Sequence, residues 1–178
     1  MYYARADMAG LVRRLVAGGI DLAILLGMWV TLYSVWVAVG SERGIPGGWA
    51  YLASLAVGLL YLGPLKGSRL RTPGYQVAGV QLVDLRGRRP AWLATTVRGG
   101  LYLLGTNFAL LDCFWFLVTG RRQKLSDQIT GTYVIRFGAL PTGRGRLVTA
   151  YYAGFGYFLV VPEVMPKVVD KAPVMEVP

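Results

Sequence analysis

The chain has no histidine and a single cysteine, Cys113, among its 178 residues. The first absence removes His-based triads, imidazole proton shuttles and imidazole metal ligands. The second excludes an intramolecular disulfide framework. Charge is also scarce: Asp, Glu, Lys and Arg make up 16%, where a soluble domain carries about 25%. The glycines around Gly74 and Gly79 lack the Lys-Ser/Thr of a phosphate-binding loop. No carboxylate pair stands at glycosidase-like positions, and Cys113, set in an apolar run, reads as a packing residue. These gaps argue against an enzyme, a metal site or a cofactor site. What remains is 54% hydrophobic with a mean hydropathy of +0.47. That composition belongs to a small integral membrane protein of one domain's length.

Basic residues outnumber acidic ones 19 to 9, giving a net charge of +10. Seven of the basic residues fall between Lys66 and Arg98, six between Arg121 and Arg146, and three before Leu15. They lie between apolar runs, as cytoplasmic loops of membrane proteins do. No recognition helix or single-strand-binding pattern accompanies them, so nucleic acid is not an expected partner. The expected contacts are the bilayer, its anionic headgroups, and either further copies of the chain or other membrane subunits.

Leu22 to Gly40 carries no charge, and 19 helical residues span about 28 Å, enough to cross a bilayer. This predicts a first transmembrane helix entering from the cytoplasm, with Arg13, Arg14 and Asp21 on its leading turns. A short Gly/Pro-rich turn, Ser41 to Gly48, leads to a second uncharged span from Trp49 to Leu65. Two helices so joined must be antiparallel neighbours. Ala53, Ala56, Val57 and Gly58 suit close packing. The basic stretch Lys66 to Pro90 contains a β-prone segment near Val80 to Val83. Its expected partner is Thr132 to Phe137, forming a small two-stranded cytoplasmic element.

The third apolar region, Trp92 to Gly120, contains Arg98, Asn107 and Asp112 between two basic segments. A single crossing conflicts with the positive-inside rule. A helical hairpin bending near Gly105, Thr106 and Asn107 keeps both flanks inside and is the preferred reading. Leu147 to Val161 reads as a short apolar helix, either crossing or interfacial. The expected fold is therefore an all-α membrane protein with that one small strand pair. The membrane domain spans residues 1–137 and a C-terminal extension spans 138–178.

Three separated segments resemble the RDD family of bacterial membrane proteins, named for one arginine and two aspartates. They are "AGLVRRLVAGGIDLAILL" (Ala9 to Leu26), "TPGYQVAGVQLVD" (Thr72 to Asp84) and "RRQKLSDQITGTYVI" (Arg121 to Ile135). The resemblance assigns the family arginine to Arg14, with Arg13 beside it, and the two aspartates to Asp21 and Asp127. It also matches Thr72, Pro73, Gly74, Gly131 and Thr132. Tyr75 stands where the family often has lysine, and Ser126 where histidine often precedes the aspartate, so roles tied to those side chains do not carry over. The resemblance implies a bacterial inner-membrane protein with a cytoplasmic N-terminus. It also implies ion or small-solute transport, or an accessory role in a larger membrane complex.

Arg14 and Asp21 lie nearly on one helix face, about 10.5 Å apart along the axis. Ala17 and Gly18 between them open a groove for a second backbone. The candidates to dock there are Arg98, Asp112 and the segment Arg121 to Asp127. The expected network pairs Asp127 with Arg14 and Asp21 with Arg98 or Arg122. Asp112 is the carboxylate best placed to titrate, or else pairs with Arg98 or Asn107. For transport, Asp21, Asp112 and Asp127 are the candidate coupling carboxylates, with Arg14 as their counter-charge. Two or three spans cannot enclose a pathway, so transport requires an oligomer or a partner.

Overall fold

The computed structural model describes residues 3–118, 122–154 and 157–166. The charge-free run becomes α1 (Leu11–Val35), continued by a π-helical turn, Trp36–Gly40. Together they form a 30-residue apolar helix with a mean hydropathy of 2.1. The turn that follows closes around Trp36. The indole packs on Gly40 and Gly47, where no side chain would fit comfortably, and donates to the Ile45 carbonyl at 3.0 Å. The chain then returns as α2 (Gly47–Leu60), which ends in a π-helical turn containing Pro64, Tyr61–Leu65. Trp29 Nε1 donates to the Ser54 carbonyl at 3.3 Å across the pair.

Both helices are long and apolar enough to cross a membrane. They expose large apolar side chains, Val30, Tyr33, Trp49 and Leu52 among them. Water would penalise that surface and hydrocarbon would not.

The segment after α2 forms a short helix, α3 (Pro73–Val77), then β1 (Val80–Asp84). The third apolar region is two helices, α4 (Trp92–Leu101) and α5 (Thr106–Val118), joined by a 3-10 turn, Tyr102–Leu104. The helix breaks at Gly105, whose φ of 90° is open to glycine and strained for other residues. This is the position where a bend was expected. Close to its start, α4 packs Thr95 on Gly67, just beyond α2; after α5, the Arg122 carbonyl accepts from Arg14 at the start of α1. The start of α1 and the end of α2 lie together, so both flanks of α4–α5 sit at one end of the helix pair. At Gly63 and Gly99 the backbones of α2 and α4 come so close that a Cβ on either would meet the other's main chain. The tight helix contact is here rather than at Ala53, Ala56 and Gly58.

A one-turn-and-a-half helix, α6 (Leu125–Ile129), then leads into β2 (Thr132–Arg136). β1 and β2 pair antiparallel from Val80 opposite Arg136 to Asp84 opposite Thr132. The expected strand pair thus exists. The N-terminal segment adds to its edge through Met8 opposite Ile135 and the Ala9 N–H to Val134 carbonyl bond of 2.9 Å.

The all-α expectation needs correction at the C-terminus. Leu147 to Val161, read as a short helix, lies in a second antiparallel pair, β3 (Gly145–Gly154) and β4 (Tyr157–Pro166). The physical reason lies in the side chains: Val148, Thr149, Tyr151, Tyr152, Val160 and Val161 are β-branched or aromatic, and glycine interrupts any helical stretch. β4 packs Val164 into a cluster with Tyr3, Val83, Tyr133 and Ile135. A neighbouring cluster of Ala9, Ala17, Tyr75, Ala78, Val80, Leu82 and Val134 ties α1 and α3 to the first sheet.

Candidate functional site

Where α1 begins and α2 ends, four cations and three carboxylates are packed into one network. Asp127, on α6, is fully buried. Its Oδ2 accepts from Arg14 Nη1 at 2.5 Å and from the Lys124 backbone N–H at 3.2 Å. Its Oδ1 accepts from Arg98 Nε at 2.9 Å and from Nη2 at 2.8 Å. Arg14 is further held by the Ala9 and Arg122 carbonyls at 3.1 and 2.7 Å, and lies over the Phe116 ring. Burial would push the Asp127 carboxyl up. The Arg98 and Arg14 guanidiniums outweigh it and hold the group lowered to about 2.

Asp21 has a different set of partners. Oδ2 meets Lys66 Nζ at 3.0 Å and the Thr72 hydroxyl at 2.9 Å. Oδ1 accepts from the Tyr61 hydroxyl and the Gly74 N–H, both at 3.0 Å. A Cβ at Gly74 would run into the Ala17 carbonyl and the Asp21 carboxylate. The backbone that docks on Ala17 is therefore the Thr-Pro-Gly turn, not the segment around Arg98, Asp112 or Arg121 to Asp127. Pro73 supplies the first helical residue of α3, where its missing N–H costs nothing.

Asp112, on α5, is also fully buried. It accepts from the Tyr102 hydroxyl and the Ser126 N–H, each at 2.8 Å, and pairs with Lys124 at 3.3 Å. Its partner is thus Lys124 and not Arg98 or Asn107. Tyr75 links two halves of the network. Its hydroxyl accepts from Arg98 Nη1 at 3.2 Å, and its ring lies 4.6 Å beneath the Lys66 ammonium. Burial alone would raise the Tyr75 hydroxyl; Arg98 and Lys66 reverse that and lower it. The lysine that reaches Tyr75 comes from just beyond the end of the second membrane-length helix.

The remaining sequence candidates lie at the margins. Arg13 is exposed and donates to the Ala78 carbonyl at 2.9 Å. Arg122 has a left-handed backbone, φ 55°, and its guanidinium reaches the Arg5 carbonyl at 3.1 Å, not Asp21. Gly131 turns the chain at φ 61°, and the buried Thr132 meets Thr130 at 3.1 Å. Arg121 lies outside the described residues. Lys66, Tyr61 and Tyr102 were not singled out from sequence; Tyr75 was noted only as a departure from the family lysine, and Lys124 only within the basic segment before Asp127. Lys66 carried a readable signal. Asp21 immediately precedes one uncharged span and Lys66 immediately follows the next, so antiparallel pairing brings them together.

The network opens onto a cavity of about 680 Å³. Its lining combines Arg14, Lys66, Arg98 and Lys124 with Leu22, Leu25, Trp29, Leu62 and Ala109. Asp21 is the one carboxylate among the described lining residues; the buried Asp127 and Asp112 are not among them. Two membrane-length apolar helices tied at one end by buried ion pairs define a helical membrane protein. The RDD family model matches residues 8–131, so the chain belongs to the RDD family. No curated protein and no solved structure matches it.

Proposed function

We propose that this chain is a non-enzymatic subunit of an oligomeric carrier for a small anionic solute. The observation that carries this reading is the 680 Å³ cavity, whose lining sets four cationic side chains against one carboxylate. Counting Asp127 and Asp112 as well leaves the network one positive charge in excess, four against three. A cation would meet repulsion in such a site and an anion attraction. The full pairing of Asp21, Asp112 and Asp127 argues against their use as coupling carboxylates. The positive-inside rule puts the charged end, and with it the N-terminus, in the cytoplasm of a bacterial inner membrane. Both flanks of α4–α5 sit at that end, which favours the re-entrant hairpin over a single crossing. Two spans and a hairpin do not enclose a path, so copies must associate.

A second reading, an accessory subunit of a larger membrane complex, has its own support. An apolar cleft of about 600 Å³ opens between the far halves of α1 and α2, lined by Leu26, Trp29, Val30, Tyr33 and Tyr51. It suits side chains of a neighbouring membrane helix.

Native mass spectrometry of protein taken gently from its own membrane separates the two readings, followed by labelled acetate and phosphate uptake into proteoliposomes. A homo-oligomer with saturable uptake that falls in Lys124→Gln supports the carrier. A stoichiometric complex with unrelated membrane subunits and no uptake overturns it in favour of the accessory role.

A further inference from the structure

Beside β1 lies a further concavity, of about 250 Å³, that shares no described lining residue with the cavity of the ion-pair network. Arg69, Arg71, Arg88 and Arg89 line it together with Gly67 and Phe137, and no carboxylate is among the described lining residues. Asp84, the nearest acid along the chain, is occupied by the turn that presents the pocket. Its Oδ1 accepts the Arg86 and Arg88 backbone N–H groups at 2.9 and 2.7 Å. Arg71 adopts a left-handed backbone, φ 55°, that is uncommon for a bulky residue. Its guanidinium lies 4.0 Å over the Phe137 ring, which holds it at the pocket.

Position along the chain narrows the ligand. Gly67 is two residues beyond the last turn of the second membrane-length helix, which ends at Leu65. At a 1.5 Å rise per residue the pocket starts within about 3 Å of that end, at headgroup depth. Leu70 and Phe137 are 72% and 61% exposed beside the arginines. Large apolar side chains next to an arginine cluster suit the boundary between headgroups and acyl chains, not open water. We propose that this pocket binds the phosphate of an anionic glycerophospholipid, with Leu70 and Phe137 resting against its glycerol and upper acyl region. Forked guanidiniums match phosphate oxygens in pairs.

The proposal is independent of the carrier reading and is tested separately. The full chain in mild detergent is titrated with palmitoyl-oleoyl phosphatidylglycerol or with the matching phosphatidylcholine, and bound lipid is counted by native mass spectrometry. Phosphatidylglycerol should be retained and phosphatidylcholine lost. Arg88→Gln should weaken retention about fivefold, the effect of one basic residue near an anionic headgroup. Arg144→Gln, exposed and outside the pocket, should leave retention unchanged. Arg89→Gln serves in place of Arg88→Gln if that variant shows a lowered thermal midpoint. An equal loss in Arg144→Gln would overturn the site in favour of diffuse charge. Displacement of the lipid by equimolar glycerol 1-phosphate would overturn the lipid assignment in favour of a soluble phosphate.

Discussion

Arg14 and Arg98 are buried around one carboxylate, whereas Arg69, Arg88 and Arg89 stand exposed around a pocket with none. The same side chain does opposite things in these two places. In the first, the charges are withdrawn from solvent, and the arrangement persists only because each is paired and hydrogen-bonded. In the second, the guanidiniums keep their hydration and lend their charge to whatever arrives. Arg14 and Arg98 therefore hold the fold while lining the cavity, and the exposed cluster is the one proposed to meet a lipid. Substitutions in the two clusters should separate stability from affinity.

The sharpest way to break the contrast is Asp127→Ala, which strands two buried guanidiniums. Losing one partner of a buried pair costs about 3–5 kcal/mol. The variant should accumulate poorly and show a sharply lowered unfolding midpoint in detergent, read from tryptophan fluorescence. Arg98→Met in the same background should recover part of the loss, because it removes one of the unpaired charges. A double variant no better than the single would mean that the residues are not coupled.

Acid should reach the same pair more gently. The Asp127 carboxyl is lowered in the folded chain, to about 2 from 3.8. A depressed carboxylate stabilises fully above its unfolded pKa, and that contribution is lost as pH falls through the folded value. Stability should fall by roughly 2 kcal/mol between about pH 4 and pH 2 through this group. The step should be absent in Asp127→Asn, itself less stable at neutral pH. A pH profile in that variant identical to wild type would show that another group carries the acid response.

Thr72→Val tests the second carboxylate. It removes one hydroxyl donor of 2.9 Å to Asp21 while keeping the side chain's shape. Hydrogen bonds to charged groups contribute about 1.5–3 kcal/mol, and the Lys66, Tyr61 and Gly74 partners remain, so the lower end of that range is expected. Arg13→Gln closes the series. Although Arg13 adjoins Arg14 in sequence, it is exposed and bonds one carbonyl. Its loss should change the unfolding free energy by less than about 0.5 kcal/mol. A loss as large as that for Arg14→Gln would erase the distinction between the neighbours.

Several features were legible in the residues alone. An uncharged run is a thermodynamic statement about hydrocarbon, so both membrane-length helices and their antiparallel pairing could be read directly. The β1–β2 pair followed from alternation and β-branched residues, and the break at Gly105 from a glycine next to polar residues. The second sheet was misread because apolarity and length alone do not separate a short helix from a strand. Tyr151, Tyr152, Val160 and Val161 held the better signal.

Sequence by itself determined which segments are apolar, which residues are charged, and which end of each span carries the charge. These are local transfer free energies and need no partner. The tertiary structure alone decided who pairs with whom: Asp21 with Lys66, Asp127 with both Arg14 and Arg98, and Asp112 with Lys124. Those choices depend on the Thr-Pro-Gly turn filling the groove at Ala17 and on the chain turning back at Gly105. Ion pairing acts over a few ångströms, and residues more than a hundred positions apart reach that range only when backbones pack.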